Sequence, residues 1–149
     1  MPAPVIRPAA PPDLGTLTEY DRHIRLSRLS SAIADGRILL LETDGKFAGW
    51  LRWNLFWDSI PFLNLLFLLE PYRRLGFGSR LVADWEARMA ADGFSSVMTS
   101  TQADEDAQHF YRKLGYADCG CLLPHGQAVA ELFLQKQLQT GGKSAGTAK

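Results

Sequence analysis

The feature that most constrains this chain is an apolar run followed by a glycine-containing turn and an amphipathic segment. The run extends from Phe62 to Leu69, the turn is Arg73-Arg74-Leu75-Gly76-Phe77-Gly78-Ser79, and the amphipathic segment continues to Asp92. This order predicts a strand, a basic turn and a helix. A helix start offers unpaired backbone N–H groups and a partial positive charge, and glycine lets an anion approach the backbone. With two arginines beside it, the turn is a candidate site for a phosphorylated ligand.

Composition favours a single globular domain. The 149 residues are 46% hydrophobic, with 16 basic and 16 acidic side chains, so the formal net charge is zero. Proteins that bind nucleic acid usually carry an excess of basic residues, so the composition does not favour nucleic-acid binding. Neither an apolar run of membrane-spanning length nor a secretory signal is present, so we expect a cytoplasmic protein without a membrane partner. We expect one domain over residues 1–139 and a disordered tail over residues 140–149, which are rich in Gly, Ser, Ala and Lys.

The two cysteines do not suggest a disulfide or a metal site. Cys119 and Cys121 are two positions apart in a predicted strand, where they share a face but lie too far apart for disulfide geometry. The chain has no histidine pattern that would complete a zinc site around them. We expect two reduced thiols and no metal.

Hydrophobic periodicity predicts an α/β chain, a mixed sheet of the α+β type with helices packed on it, in the order β-α-α-β-β-β-α-β-α-β-β. In the central helix, one apolar face is predicted to be buried, and Gly93 follows the helix as a C-terminal glycine. That face consists of Leu81, Val82, Trp85 and Met89. The predicted strands are Val5–Arg7, Arg37–Glu42, Lys46–Asn54, Ile60–Leu69, Ser96–Ser100, Tyr116–Leu122 and Ala128–Gln135. The predicted helices run from Pro11 to about His23, from about Leu26 to Gly36, from Ser79 to Asp92 and from Thr101 to Leu114.

Three local signals refine this prediction. Asp44-Gly45 is typical of a hairpin turn. Thr101, with Asp104 three residues later, predicts a helix cap with an aspartate version of the capping box. The apolar run of the fourth strand predicts burial on both of its faces.

Four segments of the chain resemble the GNAT superfamily of N-acetyltransferases. The resemblance extends from about Val5 to Lys136 and implies the acyl-CoA N-acyltransferase fold of that family. The pyrophosphate loop and the late Phe-Tyr-x-x-x-Gly-Tyr element are the most specific of the four. The segments are Ile6-Arg7-Pro8-Ala9 with Asp13, Leu66-Phe67-Leu68, the loop Arg73–Ser79, and Ala107–Tyr116.

The resemblance implies direct acetyl transfer from acetyl-CoA, as cosubstrate, to an amine. The pantetheine arm would bind backbone groups around Phe67 and Leu68, and the diphosphate would bind the loop from Arg73 to Ser79. Asp104 stands where the family often has an asparagine that contacts the cofactor arm. Tyr111 matches the family tyrosine that gives a proton to the leaving CoA thiolate, and a phenol is acidic enough for that role.

The general base is not determined by the sequence. The positions at which some family members carry a glutamate hold Asn64 and Thr99 here, and asparagine can orient an amine but cannot act as a base. The open alternatives are a water chain or one of four side chains. These are His23, Asp58, Glu70 and Glu131.

The acceptor site is assigned to Asn64, Trp57 and His23. Trp57, beside Phe56 and Phe62, forms either an aromatic wall near the acceptor or a cover or dimer contact. The acceptor would be an amine on a small molecule or a protein, and a homodimer could pair through the late strands. The alternative functions are a non-catalytic acyl-CoA-binding module of the same fold and a structural subunit.

Overall fold

The computed structural model describes residues 3–139 and confirms the predicted order of elements. The predicted tail over residues 140–149 lies outside the described residues. Within that part of the chain, no helix combines the length and apolar character that a membrane crossing requires. The strands are β1 (Val5–Pro8), β2 (Ile38–Thr43), β3 (Lys46–Phe56), β4 (Ile60–Leu68), β5 (Ser96–Gln102), β6 (Ala117–Leu122) and β7 (Glu131–Gln137). The helices are α1 (Leu14–Tyr20), α2 (Leu26–Ala34), α3 (Phe77–Ala91) and α4 (Ala107–Lys113), with short 3-10 turns at Pro11–Asp13 and Glu70–Tyr72.

The strands form one mixed sheet, as predicted. Its order over the described residues is β1-β2-β3-β4-β5-β7-β6. β4 and β5 pair in parallel, with Phe62 opposite Met98 and Leu63 opposite Thr99. The pairs β1–β2, β2–β3, β5–β7 and β6–β7 are antiparallel. β6 is exposed along its whole length, and its Cys119 and Cys121 are free thiols.

By its contacts the chain divides into two compact units. The first contains the described residues up to Asn54 together with Asn64–Trp85. Its core includes Leu17, Leu29 and Ile33 from the first two helices, packed with Ile38 and Trp50. The second contains Leu55–Leu63 and the described residues from Glu86 onward. Here β5 pairs with β7 along its whole length, from Ser96 opposite Gln137 to Gln102 opposite Glu131. The expectation of one domain over residues 1–139 stays a prediction.

The predicted buried face of the central helix is confirmed. Leu81, Val82, Trp85 and Met89 are all buried, and Gly93 has a φ of 94°, which suits the glycine that ends a helix. The helix begins at Phe77, two residues earlier than predicted. Phe77 is buried, so burial of its ring accompanies the first turn.

The predicted helix cap at Thr101 is wrong. Thr101 lies inside β5, opposite Leu132 of β7, and Asp104 is exposed in the turn that precedes α4. A strand pairing that satisfies backbone groups over successive residues outweighs one side-chain cap, so β5 continues past Ser100 and α4 starts only at Ala107.

Three further expectations need correction. The first helix ends at Tyr20 rather than near His23, because Asp21 turns inward and is 3% exposed. β4 is not buried on both faces: Pro61 and Leu63 are buried, whereas Asn64 and Phe67 are exposed. The apolar run therefore marks a strand whose later half is open to solvent. β7 also starts later than predicted, at Glu131.

Candidate functional site

The basic glycine turn has the shape of an anion-binding loop. Arg74 has a φ of 62° and Gly76 a φ of 82°, so the chain reverses just before α3 begins at Phe77. Successive N–H groups in such a turn, followed by a helix start, form a concave donor site with a partial positive charge. Arg74 and Leu75 are exposed beside it. The arrangement fits a diphosphate.

The first arginine of the turn is tied to the end of β4. Arg73 Nε donates to the Leu68 carbonyl at 2.9 Å, and its guanidinium lies over the Phe67 ring at 5.0 Å. Phe67 also packs against Trp50, with ring centroids 5.2 Å apart. The structure thus brings together Phe67, Leu68 and Arg73, which the resemblance assigns to the cofactor.

Sequence reasoning missed Gly49, which lies in β3 next to the end of β4. A Cβ at Gly49 would stand 2.5 Å from the Phe67 carbonyl oxygen and 2.6 Å from Leu68 Cδ2. The Leu69 N–H donates to the Ala48 carbonyl at 2.8 Å. An isolated glycine inside an apolar strand is the signal that could have indicated this close approach.

A cavity of about 350 Å³ opens beside Asn64. Asn64 Nδ2 donates to Asn54 Oδ1 at 2.8 Å. Asn64, which is predicted to contact the amine substrate, is therefore hydrogen-bonded to a residue of β3. Three arginines contribute to the lining, namely Arg28, Arg37 and Arg52. The cavity is therefore polar and basic at its wall, a property that the zero net charge of the sequence does not indicate.

A buried aspartate holds one of these arginines. Asp21 accepts from Arg52 Nε at 2.8 Å and Nη2 at 3.3 Å, and from Trp50 Nε1 at 3.2 Å. The His23 N–H donates to the same carboxylate at 3.3 Å. The Asp21 side chain is fully buried, so the paired charges offset each other away from water. His23 itself is exposed in the loop after α1 and lies outside the cavity lining.

Tyr111 is buried in the second unit and hydrogen-bonded to the Thr99 side chain. Thr99 Oγ1 in turn donates to the Leu63 carbonyl at 3.0 Å. Burial raises the pKa of Tyr111 to about 12, and the hydrogen bond with Thr99 acts in the opposite direction. The phenol therefore keeps its proton throughout the neutral range and is chemically a proton donor.

A structural ion pair stabilises the turn after α4. Tyr116 donates to Glu86 Oε2 at 2.8 Å, and Lys136 Nζ donates to Glu86 Oε1 at 2.8 Å. Burial, with the Glu86 charge as a further cause, raises the pKa of Tyr116. The rings of Tyr111 and Tyr116 meet edge to face, 5.4 Å apart, so the cluster buttresses Tyr111.

Trp57 is 72% exposed in the turn between β3 and β4. Its ring packs on Phe56 at 4.7 Å, and Phe56 packs on Phe62 at 6.0 Å. The role of these rings as an acceptor wall, a cover or a dimer contact stays a prediction. Among the base candidates, Asp58 and Glu70 are exposed. Glu131 accepts from Ser100 at 2.8 Å and from Gln127 at 3.1 Å.

The family model for the acetyltransferase (GNAT) family matches residues 7–116. The chain belongs to that family. Its members use acetyl-CoA, and the chain is accordingly an acetyl-CoA-dependent N-acetyltransferase. The resemblance carried by the glycine turn and the late helix is thereby confirmed.

The chain is similar to known acetyltransferases over most of its length. An IAA acetyltransferase of Azospirillum brasilense is 28% identical over 130 residues, which are 85% of this chain and 74% of that protein. The ribosomal-protein-S18-alanine N-acetyltransferase from Escherichia coli aligns with a TM-score of 0.77 at 15% identity, over 96% of this chain and 99% of that one. Arabidopsis thaliana Naa50, in complex with the bisubstrate analogue CoA-Ac-MVNAL, gives a TM-score of 0.75 at 17% identity, over 91% and 99%. These structural likenesses establish the fold.

Proposed function

We propose that this GNAT protein moves the acetyl group of acetyl-CoA directly to a primary amine. The observation that carries the proposal is the anion-binding turn at the start of α3, joined through Arg73 to the exposed end of β4. The diphosphate would bind the loop from Arg73 to Ser79, and the pantetheine amides would bind the backbone at Phe67 and Leu68. Asp104 would contact the cofactor arm.

The reaction needs two proton transfers. The amine nitrogen forms a bond to the thioester carbonyl carbon, the C–S bond breaks, the amine loses a proton and the CoA thiolate gains one. We assign the second transfer to Tyr111, because its raised pKa keeps it protonated near neutral pH, so it holds a proton that it can donate to the thiolate as the C–S bond breaks.

The first transfer is assigned to water. Asn64 cannot accept the proton, and Thr99 is buried with its hydroxyl already donated to Leu63. Asn64 instead orients the amine. His23 and Trp57 remain proposed acceptor contacts. If His23 were the base, His23→Ala would lose the acidic limb of the pH–rate profile, because protonation of the base causes the fall in rate at low pH.

Calorimetric titration with acetyl-CoA tests the cofactor site. We expect saturable binding by the wild type, and binding at least 10-fold weaker in an Arg74→Ala, Gly78→Asp double variant, because charge-assisted hydrogen bonds to the diphosphate are lost. A Lys46→Ala, Gly120→Asp double variant carries the same charge change at exposed positions, and a Cβ at Gly120 meets no atom within 4 Å. Unaltered binding by the Arg74, Gly78 variant would remove this site assignment.

Amine turnover tests the role of Tyr111. We expect Tyr111→Phe to lower kcat about 100-fold, a typical size for loss of a general acid, with the Kd for acetyl-CoA unchanged. Tyr116→Phe is the matched control, since it removes a buried tyrosine hydroxyl that is bonded to Glu86 and should reduce stability while kcat is kept. Full kcat in Tyr111→Phe would exclude the general-acid role. Binding of acetyl-CoA without turnover of any amine would instead favour a non-catalytic acyl-CoA-binding module.

A further inference from the structure

Among the described residues, the lining of the cavity beside Asn64 carries more positive than negative charge. Its lining contains three arginines and one aspartate, Asp35. The charge of Arg52 is offset by buried Asp21 at 2.8 Å. Within residues 3–139, neither Arg28 nor Arg37 forms an ion pair with a carboxylate. Two cationic groups therefore remain at the wall against one anion.

Arg37 is held in place at the wall of the cavity by its contacts with neighbouring residues. Its guanidinium lies over the ring of buried Trp53, 5.8 Å from the centroid. Its backbone is fixed on both sides, because its N–H donates to Ala32 at 2.8 Å and its carbonyl accepts from Trp53 at 3.1 Å. Stacking occupies the flat face of a guanidinium and leaves the N–H groups at its edge available. That edge matches the two oxygens of a carboxylate.

The β3–β4 side of the same cavity offers a hydrogen-bond acceptor, whereas the arginines offer donors. Asn64 Nδ2 donates to Asn54 Oδ1, which leaves Asn64 Oδ1 free to accept an N–H from a bound amine. Asn64 lies three residues before Phe67 on one strand, a separation of about 10 Å at the rise of an extended chain. The amine would thus bind on the same strand as the backbone groups proposed for the pantetheine arm.

The size of the cavity limits the acceptor. A volume of about 350 Å³ is at the lower end of small-molecule sites, which suits a single amino acid better than a peptide. We propose that the acceptor is a small amine that carries a carboxylate, with the carboxylate bound by Arg37 and Arg28 and the amine by Asn64. The carboxylate is unchanged by the reaction, so the product is an N-acetylated acid. This inference rests on the proposed acetyl transfer.

The test uses matched pairs of acceptors. The twenty standard amino acids and their C-terminal amides are assayed with acetyl-CoA, and phosphoethanolamine is included as an amine with a different anion. For at least one pair we expect kcat/KM to favour the free acid by 10-fold or more. Arg37→Met keeps an unbranched stem over Trp53 but removes the charge, and should lower kcat/KM for the free acid so that the acid-to-amide ratio comes close to 1. Arg25→Met, at an exposed arginine outside the cavity lining, should leave the ratio unchanged.

Several outcomes would overturn the inference. Equal rates for the acid and the amide in every pair would overturn it. An acid preference that is kept in Arg37→Met would also overturn it, and so would a preference for phosphoethanolamine over every amino acid. If no member of the panel is acetylated, calorimetry with the same pairs in the presence of CoA decides, and equal binding of acids and amides overturns the inference. Failure of the proposed function gives a different result from failure of this inference. In that case acetyl-CoA does not bind, or neither the acids nor the amides react.

Discussion

Gly49 is the residue at which the smallest change should disturb the end of β4. In Gly49→Ala the new methyl group would lie 2.5 Å from the Phe67 carbonyl oxygen, a backbone atom that cannot move without moving the strand. We expect a loss of about 1–3 kcal/mol in the free energy of unfolding, the usual range for overpacking. Acetyl-CoA affinity should fall as well, because Phe67 and Leu68 shift. Urea unfolding and calorimetry measure the two effects.

Gly15→Ala is the control for that substitution. A Cβ at Gly15 in α1 meets no atom within 4 Å, and alanine is the better helix former by about 0.5–1 kcal/mol. Stability should therefore be kept or slightly raised, with acetyl-CoA affinity unchanged. Equal behaviour of the two alanine variants would contradict the close approach of β3 and β4.

At the residue scale, the sequence revealed the parts of the site that are local. Arg74, Gly76 and Gly78 lie within five positions, so a turn before a helix could be recognised from them alone. The pairing of Asp21 with Arg52 could not, because it joins positions 31 apart through a fully buried carboxylate. The contact between Asn54 and Asn64 likewise depends on the register of two strands.

At the scale of a single element, β5 contains a natural comparison. Thr99 and Thr101 are both buried, and they share a face because they are two residues apart. The Thr99 hydroxyl donates to Leu63, whereas the Thr101 hydroxyl has no hydrogen-bond partner within the described residues. We expect Thr99→Val to destabilise by about 1–2 kcal/mol and Thr101→Val to be neutral or stabilising by about 1 kcal/mol. Thermal and urea unfolding of both variants provide the test, and a destabilised Thr101→Val would show that its hydroxyl is bonded after all.

The same strand shows why one helix start was misplaced. A threonine followed three residues later by an acid is a local capping signal, and nothing near Thr101 in the sequence contradicts it. The deciding contact is with Leu132 on β7, some thirty positions away. By contrast, α3 was recognised because its apolar period and its final glycine are both local properties.

At the scale of the whole molecule, two buried tyrosines should limit stability at high pH. Burial raises the pKa of Tyr111 from 10.0 to about 12, and that of Tyr116 is raised too. Because the pKa of Tyr111 is higher in the folded than in the unfolded protein, its protonated phenol contributes fully to folding stability below pH 10. That contribution is lost as the pH rises through about 12. The shift of Tyr111 corresponds to about 3 kcal/mol at 1.36 kcal/mol for each pKa unit.

Urea unfolding at pH 9 and pH 12 measures this loss. The wild type should lose more unfolding free energy than Tyr111→Phe over that interval, because phenylalanine has no proton to lose. Identical losses would mean that Tyr111 titrates normally and is more accessible than its 5% exposure indicates.

The order of strands and helices along the chain could be predicted, because hydrophobic periodicity and glycine positions are local signals within the sequence of each element. The order of the strands within the sheet could not be derived from periodicity, because it depends on pairings between residues far apart in the sequence. A homodimer through the late strands stays a prediction. Sedimentation over a range of concentrations would test it.

The hairpin between β3 and β4 is a position at which a substitution could make the protein more stable. Trp57 and Asp58 have φ angles of 53° and 56°, a left-handed conformation that costs a residue with a side chain about 1–2 kcal/mol. Glycine adopts this conformation without that cost. Replacing Asp58 with glycine would release part of this strain and leave the Trp57 ring in place. An engineer seeking heat tolerance, or better-ordered crystals, could start at this turn without altering the arginine-lined cavity.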